Sequence, residues 1–331
     1  MQLQTPYLLF LGDAPDMLAA KVAIGVRDWR PEFAVGQMRL PGCQADLGLT
    51  EMTIEEAAAA GAKTLVVGVA NRGGVISPAW IDALSQGLRA GMDVAAGLHN
   101  RLTDVPELKA LADELGRGLY DVRHPTESFS VGSAEKRAGK RLLPVGTDCS
   151  CGKMYTGLAV EKEMRARGWS ADFRATGQTG IFITGSGVSV DAVVADFISG
   201  AIEALAPAND PEHWDVIEGQ GALHHPSFAG VTLGLIHGAQ PDALVVCHEP
   251  TRTHMRGLPH YPVPEVEAAM DIALRHAQLT NPEARFVGAS VNTANLEAAA
   301  AEDYLGALGA RIGLPAVDPV RTGVGPLVDL L

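Results

Sequence analysis

The strongest chemical pattern in the sequence is the loop Gly146-Thr147-Asp148-Cys149-Ser150-Cys151-Gly152-Lys153. It follows a predicted strand, Arg141–Val145, and precedes a predicted helix, Gly152–Arg167. Successive backbone N–H groups in such a loop point inward and bind phosphate oxygens. The helix N-terminus adds the positive end of its dipole, and Lys153 adds a full charge. The pattern predicts a phosphate-binding P-loop, with an ordinary glycine-rich turn as the alternative.

Two features set this loop apart from the usual P-loop. Five residues, instead of four, separate Gly146 from Gly152. Met154 occupies the position where a serine or threonine hydroxyl normally holds Mg²⁺. Thr156 lies roughly 200° further around the helix and is not a simple substitute. We therefore expect a loop that binds phosphate but is poorly equipped to place Mg²⁺ for hydrolysis.

Candidate proton-transfer groups follow another predicted strand, Trp214–Ile217. Glu218 stands at its carboxyl end, where ligands bind in open α/β sheets, and can accept a proton or hold a metal. His225 follows in the same segment, and its neutral imidazole, with an ordinary pKa near 6.5, can deprotonate an ammonium group. A solvated or capping role is the alternative for His225. The segment Thr176–Gly180 is likewise predicted to be a loop at the end of a strand.

Arginines are the candidates for holding a substrate carboxylate. Arg72 ends a predicted strand in the N-terminal part of the chain, and Arg252 lies near the end of another in the C-terminal part. The alternative for Arg72 is an ordinary solvent-exposed loop arginine.

The cysteines and histidines predict no metal site. The Cys149-x-Cys151 pair lacks the spacing of a structural zinc site. Loop N–H groups and Lys153 are able to lower the pKa of a nearby thiol, which leaves an acyl-cysteine intermediate as a minor alternative. Three histidines of the C-terminal part are expected to be surface loop residues: His248, His254 and His260.

The elements that position these residues follow a strand–helix alternation. In the first 125 residues, strands are predicted at 7–11, 63–70, 92–96 and 118–122, and helices at 14–28, 53–60, 78–90 and 105–115. This rhythm is typical of a doubly wound parallel sheet, although the G-x-G-x-x-G fingerprint is missing. A second α/β series, including a helix at 188–204, begins at residue 141. We predict an N-terminal domain over 1–125, a linker over 126–140 and a P-loop domain over 141–331.

Composition excludes several classes of protein. The chain has 331 residues and a net charge of −13, which argues against nucleic-acid binding. Its four scattered cysteines give no disulfide framework. No signal sequence and no membrane span is evident. We expect a soluble cytoplasmic protein that acts on small molecules and binds neither nucleic acid nor membranes, and the sequence leaves a homo-oligomer open.

Taken together, four segments resemble the family of uncharacterised-domain proteins called DUF1611. They are Val145–Met154, Thr176–Gly180, Glu218–Gly221 and Cys247–Arg252. The resemblance covers nearly the whole chain. It implies an α/β fold with a Rossmann-like N-terminal domain and a P-loop NTPase-like C-terminal domain. Family members with an assigned activity are D-glutamate N-acetyltransferases, so the resemblance implies acetyl-CoA as co-substrate. A P-loop without its Mg²⁺ hydroxyl suits the phosphates of coenzyme A.

Two other functions stay open. The longer loop is also similar to the Gly-Thr-Asp-…-Gly-Lys loop of dethiobiotin synthetases, which implies an ATP-dependent ligase or kinase-like enzyme. Thr147, Asp148, Lys153 and Glu218 would then organise ATP and Mg²⁺. A nucleotide sensor without turnover is the third possibility.

Overall fold

The computed structural model describes residues 2–70 and 75–331. The chain forms two compact units. The first contains Met1–Glu127 and Gly177–Ala192, and the second contains Ser128–Thr176 and Val193–Leu331. The units are therefore not contiguous in sequence, whereas the predicted domains are. No helix within the described residues is long and apolar enough to cross a membrane.

The helices and strands are numbered in chain order. Residues 2–127 form β1 (Tyr7–Gly12), α1 (Lys21–Trp29), β2 (Ala34–Arg39), α2 (Ile54–Ala59), β3 (Thr64–Val67), α3 (Pro78–Arg89), β4 (Asp93–Ala96), α4 (Pro106–Leu115) and β5 (Leu119–Asp121). Residues 128–331 form β6 (Lys140–Gly146), α5 (Lys153–Ala166), β7 (Ala171–Arg174), α6 (Gln178–Thr184), α7 (Ile198–Leu205), β8 (Trp214–Ile217), α8 (Ala229–Ala239), β9 (Ala243–His248), α9 (Val266–Gln278), β10 (Arg285–Val291), α10 (Ala298–Ile312), β11 (Ala316–Val317) and α11 (Gly325–Val328).

The first unit is built on a parallel sheet with strand order β2-β1-β3-β4-β5. Every residue of β1, β3 and β4 is buried, as expected for strands covered on both faces. Local signals fix the helix that follows β3. The Ser77 side chain accepts a hydrogen bond from the Trp80 N–H, and Pro78 fits the first helical turn.

The secondary structure differs from the prediction in one strand that was not predicted and in two helices. The helix predicted over 14–28 begins only at Lys21. The strand β2 was not predicted because its buried Gln37 interrupts the apolar pattern. The Gln37 side chain is satisfied by the Leu47 N–H and the Asp46 carboxylate, which are contacts that only the folded chain provides. The helix predicted over 188–204 is interrupted, because Val194 has an extended backbone (ψ 136°). Short 3₁₀ turns precede α7 instead.

The helix α6 belongs to the first unit although it follows strands of the second. It packs against α1 and buries Ile181, Phe182 and Ile183 completely. A Cβ atom at Gly97 would lie 2.1 Å from Gln178 Oε1, so the side chain of Gln178 lies at the carboxyl end of β4. The segment Thr176–Gly180 is thus only in part the strand-end loop that the sequence predicted, because the helix begins at Gln178.

The second unit contains a six-stranded parallel sheet with order β11-β10-β9-β6-β8-β7. The P-loop strand β6 lies between β9 and β8, and Gly146 pairs with Cys247. Because all strands are parallel, their carboxyl ends lie along one edge of the sheet. The loops that follow β6, β7, β8 and β9 are thereby brought together at the edge where α/β proteins bind ligands.

An arginine at the opposite end of β6 is completely buried. Burial lowers the pKa of the Arg141 guanidinium, and the carboxylates of Asp215 and Asp242 oppose this shift. Its guanidinium donates hydrogen bonds to backbone carbonyls of the segments around it: Arg137, Ala138, Gly139, Ala206 and Pro207. Arg141 therefore holds the amino end of the P-loop strand against two neighbouring segments.

Replacement of Arg141 by methionine is expected to lower the free energy of unfolding by about 3 kcal/mol, because several buried carbonyls lose their donor. This corresponds to a fall of roughly 6–12 °C in the unfolding midpoint of a domain this size. The matched control is Lys140→Met, which removes an exposed ion pair with Glu212 and should shift the midpoint by about 3 °C or less. Thermal unfolding followed by circular dichroism measures both. Equal midpoints for the two variants would contradict this role of Arg141.

Candidate functional site

The P-loop has the backbone geometry of a phosphate cradle. Ser150 and Gly152 both have left-handed backbones, with φ of 52° and 106°. Among the residues that the structure describes, the backbone N–H groups of residues 150–154 have no hydrogen-bond partner. Unpaired N–H groups at a helix N-terminus form an anion-binding site. The loop therefore presents a set of free donors to a phosphate.

The Lys153 side chain lies inside this loop. It is buried, and its ammonium donates to the Asp148 carbonyl at 2.8 Å. Its stem runs close to Gly219, where a Cβ atom would lie 3.0 Å from Lys153 Cδ and 1.8 Å from the Pro144 carbonyl oxygen. Only glycine fits at position 219, which gives a packing reason for the glycine that follows Glu218.

The carboxylate of Asp148 holds the loop in place through hydrogen bonds. It is 1% exposed, and Oδ1 accepts the Cys149 N–H at 2.6 Å. Oδ2 accepts the Arg252 guanidinium at 2.6 Å and the Arg256 N–H at 2.9 Å. Asp148 thus fixes the loop to the segment that follows β9.

Arg252 contacts the loop itself. Besides Asp148, its guanidinium donates to the Cys149 carbonyl at 2.6 Å and to the Ser150 carbonyl at 3.2 Å. To hold a substrate carboxylate, Arg252 would have to exchange these contacts, so that role stays a prediction. The second arginine proposed from sequence, Arg72, lies outside the described residues.

His248 was wrongly expected at the surface. It is the last residue of β9, is 8% exposed, and its Nδ1 forms a 2.9 Å hydrogen bond with the Thr147 hydroxyl. Burial lowers the pKa of the imidazole, so at neutral pH the ring is uncharged. The burial of β9 as a continuous apolar strand, Ala243–Cys247, was the signal that could have placed His248 in the interior. His254 and His260 are exposed, as predicted.

Glu218 lies at the same sheet edge, directly after β8. Its side chain is 3% exposed. Its Oε2 accepts the Thr176 N–H at 2.9 Å, and its carbonyl accepts the Thr176 hydroxyl at 2.6 Å. The ends of β7 and β8 are therefore joined through one carboxylate, which lies beside the glycine that contacts the stem of Lys153.

His225 is buried in the loop after Glu218, and both of its ring nitrogens have partners. Nδ1 accepts the Ser227 N–H at 3.2 Å, which places the proton on Nε2, and Nε2 donates to the Arg256 carbonyl at 3.2 Å. The ring also packs against Phe228. To act as a base, His225 would first have to release Ser227, whereas its present contacts are those of a positioning residue.

The nearest serine or threonine hydroxyl along α5 to the missing Mg²⁺ ligand, that of Thr156, already forms other hydrogen bonds. Thr156 is completely buried, and its Oγ1 contacts the Gly152 carbonyl at 3.0 Å and Ser290 Oγ at 2.7 Å. Met154 offers no oxygen. The structure therefore provides no side-chain hydroxyl at the position where P-loop nucleotide hydrolases hold the ion.

One group of potential metal ligands does lie beside the loop. Side-chain ligand atoms of Asp148, Cys149 and His225 all lie within 4.8 Å of one another. The Asp148 carboxylate is paired with Arg252, and both His225 nitrogens form hydrogen bonds. These contacts suit a loop anchor better than a metal site, and the sequence-based expectation of no metal stays a prediction.

The minor alternative of an activated loop thiol has no support at Cys149. Burial raises the pKa of this thiol, and the nearby charge of Lys153 opposes the shift without reversing it. A thiol with a raised pKa is largely protonated at neutral pH and is a poor nucleophile. The structure thus weakens the case for an acyl-cysteine intermediate.

A parallel α/β unit whose central strand leads through a glycine-rich loop into a helix defines a P-loop protein, here joined to a Rossmann-like unit. Residues 128–328 match the DUF1611 P-loop domain of unknown function, and residues 38–125 match the DUF1611 N-terminal Rossmann-like domain. The chain belongs to the DUF1611 family.

Similar proteins extend over the whole chain. A D-glutamate N-acetyltransferase of Tritonibacter scottomollicae is 63% identical over 99% of both chains. One of Pseudoalteromonas sp is 50% identical, again over 99% of both chains. A crystal structure of a DUF1611 family protein from Anabaena variabilis superposes with a TM-score of 0.86 at 32% identity, covering 99% of each chain.

Proposed function

We propose that this protein is a D-glutamate N-acetyltransferase, an acyltransferase that moves an acetyl group to the amine of D-glutamate. The observation that carries this conclusion is the 63% identity, over 99% of both chains, to the D-glutamate N-acetyltransferase of T. scottomollicae. This chain contains both the P-loop domain and the Rossmann-like domain of the family. The reaction requires an acetyl donor.

The proposed donor is acetyl-CoA, with its phosphates in the P-loop. Three features of the loop support this choice: the unpaired N–H groups of residues 150–154, the buried charge of Lys153 and the dipole of α5. The nine residues proposed to bind the donor are Gly146, Thr147, Asp148, Cys149, Ser150, Cys151, Gly152, Lys153 and Met154. Asp148 contributes as an anchor of the loop, because a carboxylate would repel phosphate.

In the proposed chemistry, a base takes one proton from the ammonium of D-glutamate. The free amine attacks the thioester carbonyl, and the tetrahedral intermediate collapses with loss of the CoA thiolate. The nitrogen gives up its second proton, which the thiolate takes up to leave as the thiol, and the base releases the first proton to solvent. We propose Glu218 as the base, with His225 as a positioning residue or second candidate. With the phosphates in the loop, this assignment requires the pantetheine arm to turn back along the carboxyl edge of the sheet.

The alternative of an ATP-dependent ligase or kinase-like enzyme has less support from the site. The hydroxyl of Thr156 is committed to Ser290, the carboxylate of Asp148 is paired with Arg252, and Met154 offers no ligand. Few groups are left to place Mg²⁺. A cytoplasmic location is proposed because all four cysteines are free thiols.

The test is to mix the purified protein with acetyl-CoA and D-glutamate and to measure thiol release together with N-acetyl-D-glutamate. Both products are expected in equal amounts and without a metal requirement. L-Glutamate and D-aspartate serve as matched controls of chirality and length. Failure to release thiol with any amino acid, together with stabilisation by ATP–Mg²⁺ but not by CoA, would favour the ligase reading.

A further inference from the structure

A cavity of about 330 Å³ opens to solvent at the carboxyl edge of the sheet of the first unit. It is formed by the segment after β4, the segment after β5 and Ile76 before α3. Polar and charged residues line most of it: His99, Asn100, Arg101, Asp104 and His124. Its position is the one where open α/β sheets bind ligands, and its volume is at the small end of ligand pockets.

The guanidinium of Arg101 is available to bind a ligand. Within the described part of the chain, its guanidinium forms no hydrogen bond and no ion pair. Two other arginines of the first unit differ, since Arg123 pairs with Asp191 and Arg117 donates to the Gly91 carbonyl. An available guanidinium in a cavity is suited to a bidentate contact with a carboxylate.

The segment that carries Arg101 is held firmly. The Asp121 carboxylate, at the end of β5, accepts the Leu102 N–H at 2.6 Å and the Thr103 hydroxyl at 2.8 Å. Leu102 is completely buried. Because these contacts fix the residue directly after Arg101, the guanidinium starts from a defined backbone position, which reduces the entropy lost on binding.

A second hydrogen bond joins the segments that follow β4 and β5. His124 Nε2 lies 3.0 Å from the His99 carbonyl and donates to it, which leaves Nδ1 facing no protein acceptor among the described residues.

Asp104 brings the opposite charge into the cavity. It lies three residues after Arg101 in a 3₁₀ turn (Leu102–Asp104), yet the two side chains form no ion pair with each other. Both side chains are exposed to solvent. A cation and an anion that line one small cavity without pairing are complementary to a zwitterion. A carboxylate would contact Arg101, and an ammonium group would contact Asp104.

We propose that this cavity captures the amino-acid substrate, a small zwitterionic dicarboxylic acid, before its proton is transferred, with Arg101 on a carboxylate and Asp104 on the ammonium group. The identity of the substrate as D-glutamate rests on the proposed function, but the site itself rests on the cavity and its charges. Arg101 then has the role that the sequence suggested for Arg72 or Arg252.

The first measurement is steady-state kinetics of Arg101→Met. The KM for D-glutamate is expected to rise about 10- to 150-fold, while the KM for acetyl-CoA and kcat change by about threefold or less. Arg101→Lys keeps the charge but loses the bidentate geometry of the guanidinium. Its KM for D-glutamate should therefore lie between those of the native protein and of Arg101→Met. Arg117→Met is the control, because it removes an arginine of the same unit whose guanidinium donates to the Gly91 carbonyl and does not line the cavity.

The second measurement separates the two charges. Glutarate has both carboxylates of glutamate but no ammonium group, and its binding is measured by calorimetry without acetyl-CoA. Arg101→Met should weaken glutarate and D-glutamate alike, whereas Asp104→Asn should weaken only D-glutamate. Near-UV circular dichroism confirms that each variant is folded.

These outcomes distinguish the site from the proposed function. If the native protein acetylates D-glutamate and folded Arg101→Met has an unchanged KM for it, the site is wrong and the function stands. If no acetyl transfer occurs but D-glutamate binds in a manner that depends on Arg101, the function is wrong and the site stands.

Discussion

Replacement of Lys153 by alanine is expected to weaken CoA binding by about 10- to 150-fold while the protein stays folded. The ammonium now donates to the Asp148 carbonyl and lies inside the loop, where it would meet a phosphate. A charge-assisted hydrogen bond is worth roughly 1.5–3 kcal/mol, and each 1.4 kcal/mol is a factor of ten in affinity. Calorimetric titration of CoA measures the change, with folding checked by circular dichroism.

The matched control is Lys162→Ala. Lys162 lies on the same helix but is exposed and away from the loop, so CoA affinity should change by less than twofold. Gly152→Val is a second test, since φ of 106° disfavours any residue with a side chain and should cost both loop geometry and CoA binding. An unchanged CoA affinity in folded Lys153→Ala would mean that the phosphates bind elsewhere.

Glu218→Gln is expected to lower kcat by about 100- to 10,000-fold, the usual contribution of a general base. Glutamine can still accept the Thr176 N–H through its amide oxygen, so the end of β7 should stay in place. CoA affinity should remain within about threefold of the native value. Single-turnover measurement of N-acetyl-D-glutamate formation, alongside CoA titration, separates the chemical step from binding.

Glu249→Gln provides the comparison for Glu218. Glu249 is also a buried carboxylate at the carboxyl edge of the sheet, but it accepts the Thr251 N–H and hydroxyl within its own turn. Its replacement should change kcat by less than tenfold. If Glu218→Gln and Glu249→Gln have the same small effect on kcat, the base is not Glu218 and the reacting centre lies away from the P-loop edge.

The sequence predicted the fold class because its signals are local. Buried parallel strands are continuous apolar runs. The start of α3 is marked by the Ser77 cap and Pro78, and the start of α5 is marked by the glycine-rich loop before Lys153. The strand β2 was missed because Gln37 is buried through partners that come from a loop ten residues away. The helix predicted over 188–204 failed because Val194 is extended, which no periodicity records.

The candidate site was predictable only in part. The strand–loop–helix pattern placed Lys153 beside a set of free N–H groups, because that geometry depends on adjacent residues. The partners of the loop come from residues about 100 positions away. Arg252 pairs with Asp148, and His248 contacts Thr147. Arg101 could not be singled out, since only the structure shows that it lines a cavity and that its guanidinium has no partner among the described residues.

The interrupted first unit has a consequence for how the chain folds during synthesis. Ile181, Phe182 and Ile183 of α6 pack against α1, although they are encoded after the first two strands of the second unit. A ribosome adding 5–20 residues per second must therefore read some 50 codons beyond Glu127 before the first unit can bury that surface. During those seconds α1 remains uncovered on one side. The part of the first unit that is synthesised first, residues 1–127, is consequently the part of the chain for which binding by a chaperone during synthesis would matter most.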